Sequence, residues 1–113
     1  MRKEIRIFIE DILKSIENIE EYVGEMNKEK FLEDNKTQDA VLRKLEVIGE
    51  AVKNIPSEVK DKYPEVSWKR IAGMRDIIIH EYFGINLERV WKTVRDDLPE
   101  LKEKILKISE IET

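Results

Sequence analysis

Isoleucine and valine recur along the first 23 residues at alternating steps of four and three, at Ile5, Ile9, Ile12, Ile16, Ile19 and Val23. That spacing makes one face of an α-helix apolar, so it predicts a long helix packed lengthwise on its neighbours. Gly24 and the polar stretch to Asn35 loosen or end it, with "KEKFLED" as a short helical turn. A second helix follows, with Asn35 or Thr37 as its N-cap. It runs through "QDAVLRKLEVIGEAVKNI", carries Val41, Leu45, Ile48 and Val52 on one face, and is closed by Pro56.

"SEVKDKYPEV" reads as a connector with one helical turn, ended by Pro64. Ser67 then caps a third helix, "WKRIAGMRDIIIHEYF", which Gly84 stops. Asn86 caps a fourth, "LERVWKTVRDDL", and Pro99 restarts the chain as "PELKEKILKISEIE". No strand alternation, internal repeat or low-complexity segment interrupts this pattern. The expected fold is all-α, an antiparallel bundle of four to five helices in one domain, 1–113.

Composition narrows the chemistry. Charged residues make up 41% of the 113 and hydrophobic residues another 41%, with four glycines and three prolines. That mixture favours helices. Abundant Lys, Glu and Ile would also suit a thermophile. With no cysteine and one histidine, thiol catalysis and a thiolate metal site are excluded, and a zinc site within one chain is disfavoured.

The amino-terminal stretch "MRKEIRIFIEDILKS" carries Glu4, Glu10 and Asp11 through its apolar part, unlike a secretory signal. The longest aliphatic run, Ile77 to Ile79, is far too short to span a membrane. The expectation is a soluble, cytoplasmic protein. A net charge of −4 argues against non-specific coating of nucleic acid. Residues 66–95 nevertheless hold six basic and three acidic side chains, whereas 1–34 hold six and ten. The positive segment contains the only histidine, His80.

Around that histidine stands "GMRDIIIHEYFGIN". On a helix, Asp76 and His80 are one turn apart and close enough to hydrogen-bond, whereas Arg75 and His80 are about 140° apart and do not converge within one straight helix. They converge at a helix end or in a cleft shared by two copies of the chain. An imidazole can take a proton from a ribose 2′-hydroxyl or return one to a leaving 5′-oxygen. A guanidinium fork fits the charge that builds on the phosphoryl oxygens. Together they suit phosphodiester cleavage in RNA without a metal, with Asp76 fixing the imidazole tautomer. Tyr82 can hydrogen-bond the phosphate or receive a group from another enzyme.

Plainer readings stand beside these. His80 can be structural, Arg75 can pair with a carboxylate across the bundle, and Asp76–His80 can be an ordinary pair one turn apart. Trp68, Trp91, Phe83 and Leu87 read as core in preference to a base-stacking platform.

The stretch "SWKRIAGMRDIIIHEYFGINLERVWKTVRDDLPELKEKI", with "QDAVLRKLEVIGEAVKNIP" upstream, resembles the HepT family of the HEPN superfamily, the toxin half of HepT/MntA toxin–antitoxin pairs. The resemblance covers about residues 5 to 108 and centres on Arg-x4-His-x-Tyr, here Arg75, His80 and Tyr82. It implies a HEPN-like bundle that forms a homodimer with both motifs facing one cleft. It also implies a metal-independent endoribonuclease, needing no cofactor, in which Arg75 and His80 act on an RNA substrate. In a type VII-like pair, an MntA-like nucleotidyltransferase antitoxin would silence the toxin by attaching AMP to Tyr82. Asp76 fits the Asn or Asp found at that position in the family. The alternative implied is a non-catalytic binding or substrate subunit of a small nucleotidyltransferase.

Overall fold

A computed structural model of the chain describes residues 2–80 and 86–112, with residues 76–80 described by their backbone alone. Among the described residues all regular structure is helical. The elements are α1 (Lys3–Val23), α2 (Lys28–Glu33), α3 (Asn35–Asn54), α4 (Ser57–Lys62), α5 (Trp68–His80), α6 (Leu87–Lys92) and α7 (Leu98–Glu112). None of the described helices is long and apolar enough to cross a membrane.

The seam read along α1 is the seam that packs. Ile5, Ile9, Ile12, Ile16, Ile19 and Val23 are all buried, and they join Val41, Leu45, Ile48 and Val52 of α3 and Leu101, Ile105 and Ile108 of α7 in one apolar cluster. Burying each of these side chains contributes about 1.5–3 kcal/mol before chain entropy is set against it. Helix α3 is the hub, with α1 and α5 packed along it and α2 against it, while α7 lies on α1. The Nζ of Lys102, early in α7, meets Oε1 of Glu20, late in α1, at 2.9 Å, so those two helices run antiparallel.

Helix ends follow local chemistry. Gly24 closes α1 at φ 54°, a left-handed conformation that costs a side-chain-bearing residue, and its N–H bonds the Glu20 carbonyl at 2.8 Å. The cap of α3 is neither Asn35 nor Thr37 but Asp34. Its carboxylate accepts the Thr37 N–H at 3.0 Å and the Thr37 hydroxyl at 2.8 Å. Thr37 is therefore the residue that donates to the cap. Asn86 caps α6 as expected, accepting the Arg89 N–H at 3.1 Å.

Pro99 does not restart the chain. Residues 87–112 form one continuous helical rod, in which Thr93–Asp97 is a π-helical turn joining α6 to α7. A proline in a regular α-helix lacks one N–H and presses its ring on the carbonyl four residues back, here that of Arg95. The wider π turn lies immediately before it. There the Leu98 N–H reaches back to the Thr93 carbonyl, and the rod passes the proline without breaking.

The end of α7 is tied to α4 by one carboxylate. Glu112 Oε1 accepts the Tyr63 hydroxyl at 2.6 Å and the Lys62 ammonium at 2.9 Å. Those two bonds hold the Glu112 carboxyl below its ordinary range, Lys62 first, while burial pushes the Tyr63 phenol up.

Candidate active site

Helix α5 is anchored at its start. Trp68 is buried and its indole N–H donates to the Tyr63 carbonyl at 2.9 Å, while the Ser67 carbonyl accepts the Ile71 N–H at 3.1 Å to close the first turn. Two turns further on, α5 lies hard against α3. Gly49 of α3 makes this possible: a Cβ at that position would stand 2.9 Å from the Arg75 Cβ and 3.2 Å from the Arg75 backbone nitrogen. The two helices are nearly in backbone contact at Arg75.

The next residue of α3 then meets the guanidinium. Glu50 Oε2 lies 2.9 Å from Arg75 Nε, with the arginine side chain 33% exposed and the glutamate 51%. An exposed pair of this kind is worth no more than about 1 kcal/mol to stability, so its interest lies in where it holds the guanidinium. Both side chains border a hollow of about 350 Å³ between α1 and α3, with Asp11, Arg43, Glu46 and Asn54 on its walls. In that hollow Arg43 Nη1 and Glu46 Oε2 approach to 3.5 Å.

The opposite face of α5 borders a wider groove of about 1020 Å³, to which it contributes Arg70, Gly73 and Met74, with Arg89, Trp91 and Arg95 across from them. Trp91 belongs to the edge of the core. Its ring lies 5.3 Å from that of Phe31, and the Arg95 guanidinium sits 5.6 Å over it.

Of the four residues singled out in the sequence, Arg75 is the one whose side chain is described. Asp76 and His80 contribute backbone to α5, and their side chains lie outside the described residues. Tyr82 lies outside them altogether, as do Phe83 and Gly84. The pairing of Arg75 with a carboxylate across the bundle is present. It is compatible with chemistry, because a guanidinium keeps its charge under all ordinary conditions.

The model of a family described as "Ribonuclease HepT-like" matches residues 12–108, a span that contains α5, its Arg75 and the whole Arg-x4-His-x-Tyr signature. The chain belongs to the HepT-like family.

Relatives agree. A Thermococcus cleftensis protein named "Probable ribonuclease HepT" is 49% identical over 108 residues, covering 96% of this chain and 98% of its own length. A Methanocaldococcus jannaschii protein named "Gamma-glutamylcyclotransferase and putative RNase" is 49% identical over 110 residues, covering 97% of this chain; the chain spans only 50% of that relative. A third, named "Putative RNase", from Caldanaerobacter subterraneus, is 44% identical over 106 residues, or 94% of this chain and 95% of its own length. No solved structure matches the chain.

Within this HepT-like chain, Gly49 and Glu50 are the site neighbours that reading the sequence did not single out. The signal was there in "VIGEA": a glycine inside a strong helical pattern costs about 1 kcal/mol relative to alanine and usually answers to packing. Its partner 26 residues downstream is a matter of tertiary structure.

Proposed function

We propose that this chain is an RNA-cleaving hydrolase, the metal-independent endoribonuclease toxin of a toxin–antitoxin pair, acting in the cytoplasm. The observation that carries this reading is the family match across residues 12–108, which encloses Arg75, His80 and Tyr82 in one signature.

In the proposed reaction, the His80 imidazole takes the proton from a ribose 2′-hydroxyl, whose oxygen attacks the adjacent phosphorus. The bond to the 5′-oxygen breaks, and that oxygen takes the proton back from the His80 imidazolium. The products are a 2′,3′-cyclic phosphate and a 5′-hydroxyl. Arg75 sets its fork of donors against the phosphoryl oxygens as they gain charge. Asp76, one turn before His80, orients the imidazole.

Arg75 faces α3, and position 80 stands about 140° away around an ideal helix. Arg75 of one copy and His80 of another therefore serve one phosphate in the proposed homodimer. Tyr82, two positions beyond His80, is the proposed site at which a partner nucleotidyltransferase attaches AMP and silences the toxin.

The test is cleavage of total RNA by purified protein in a chelator, with the mass of Tyr82-containing peptide checked for modification. The reading expects cleavage by the unmodified chain and none by folded His80→Ala or Arg75→Ala. Equal cleavage by the variants would overturn the site. No cleavage by the unmodified chain would favour a binding subunit for the nucleotidyltransferase.

A further inference from the structure

We infer that Glu50 is a positioning residue for Arg75, holding its guanidinium in the orientation that meets a scissile phosphate; the inference rests on the ribonuclease reading above. The observations are the 2.9 Å contact between Glu50 Oε2 and Arg75 Nε and the seating of the Arg75 backbone on Gly49 in the same turn of α3. Neighbouring residues of one helix thus grip one arginine at two levels. Gly49 sets where the Arg75 backbone lies, and Glu50 meets the side chain further out, at Nε.

An arginine side chain has about 2 kcal/mol of rotamer entropy, and only part of that is removed by packing when a third of the residue is exposed. A carboxylate on Nε restricts the remaining torsions. The role is therefore geometric. Geometry matters because an error of about 1 Å in a group that stabilises the transition state can cost roughly 100-fold in rate.

Other groups around the hollow bear on the choice. Glu46, one turn earlier on α3, approaches Arg43 instead, and Asp11 stands on α1. Glu50 places a negative charge beside a cation that must attract phosphate. For the positioning role, orientation has to outweigh the charge it offsets. Substitutions can separate the two effects. Glu50→Gln keeps an acceptor oxygen at the end of the same side chain and removes the charge. Glu50→Ala removes both.

The experiment measures kcat and KM for RNA cleavage by wild type, Glu50→Ala, Glu50→Gln and Arg75→Ala, together with the relaxation order parameter of the Arg75 Nε by NMR. Glu50→Ala is expected to lower kcat by about 10- to 100-fold with little change in KM, and Glu50→Gln to restore most of it. Thermal midpoints should stay close to wild type, as the pair is exposed. Wild-type kcat in Glu50→Ala, with Arg75→Ala inactive, overturns the positioning role and leaves the ribonuclease reading standing. Full activity in Arg75→Ala overturns the ribonuclease site itself. Independently of any activity, an Arg75 Nε order parameter as high in Glu50→Ala as in wild type overturns the positioning role.

Discussion

Gly49 and Arg75 occupy one another's space so closely that a methyl group on residue 49 would lie 2.9 Å from the Arg75 Cβ. The atom in the way is the root of a side chain on a packed helix, so α5 must shift to admit it. Gly49→Ala gains up to about 1 kcal/mol in helix propensity but incurs an overpacking cost of about 1–3 kcal/mol. The expected net result is a loss of about 1–2 kcal/mol, read as a lower urea midpoint at unchanged slope. Because the displaced residue is Arg75, RNA cleavage should fall as well. A midpoint at or above wild type would show that α5 yields freely.

Gly73, two residues earlier on α5, predicts the opposite sign. A Cβ there meets no atom of the described residues within 4 Å. Gly73→Ala should therefore add the helix gain alone, about 0.5–1 kcal/mol, and raise the thermal midpoint by several degrees. A lower midpoint would mean that the groove lined by Gly73 is closed by something a methyl group displaces.

Asp34 makes the start of α3 sensitive to acid. The hydrogen bonds from the Thr37 N–H and hydroxyl hold its carboxyl below the ordinary value of 3.8. A folded-state pKa below the unfolded one means the cap contributes fully above that unfolded value, and is lost as pH falls through the folded one. Asparagine caps a helix without a charge. Asp34→Asn should be less stable than wild type near neutrality, with the gap narrowing as pH falls below about 4. Thermal melts across that range decide it; a constant gap would show that the charge contributes nothing.

Gln38 is the buried polar side chain that ties α2 to α3. It is 6% exposed, and its Nε2 donates to the Phe31 carbonyl at 2.8 Å. That carbonyl also accepts the Asp34 N–H at 3.2 Å, so removing Gln38 does not leave it without a donor. The cost of Gln38→Ala is accordingly nearer ~1 than ~3 kcal/mol. Amide exchange should accelerate in α2 before it does in α1. Uniform acceleration would place the bond in the global core.

What the sequence determined by itself was the set of helices and the faces they bury. The isoleucine seam of α1 is legible because a helix repeats every 3.6 residues, and a side chain's burial follows from its place on that cycle. The caps were harder. Asn35, Thr37 and Asp34 are adjacent polar residues of similar capping strength, and only the backbone's entry angle made Asp34 the acceptor. At Pro99, the usual rule that proline starts a helix was defeated by a π turn, which makes room for the ring inside a continuous rod.

The candidate site divides along the same line. Arg75, His80 and Tyr82 were legible as a local signature, because their spacing lies within a few residues and their chemistry belongs to their side chains. That Arg75 and His80 do not converge within one helix also followed from helical geometry alone. Tertiary structure alone decided that Arg75 faces α3, that Gly49 admits its backbone, and that Glu50 meets its guanidinium. Those contacts join residues 25 or 26 positions apart, and their existence depends on how closely two helices approach. Helical periodicity determines which face is buried. It carries no information about which neighbour that face will meet, because the meeting distance is set by the packing of the whole bundle.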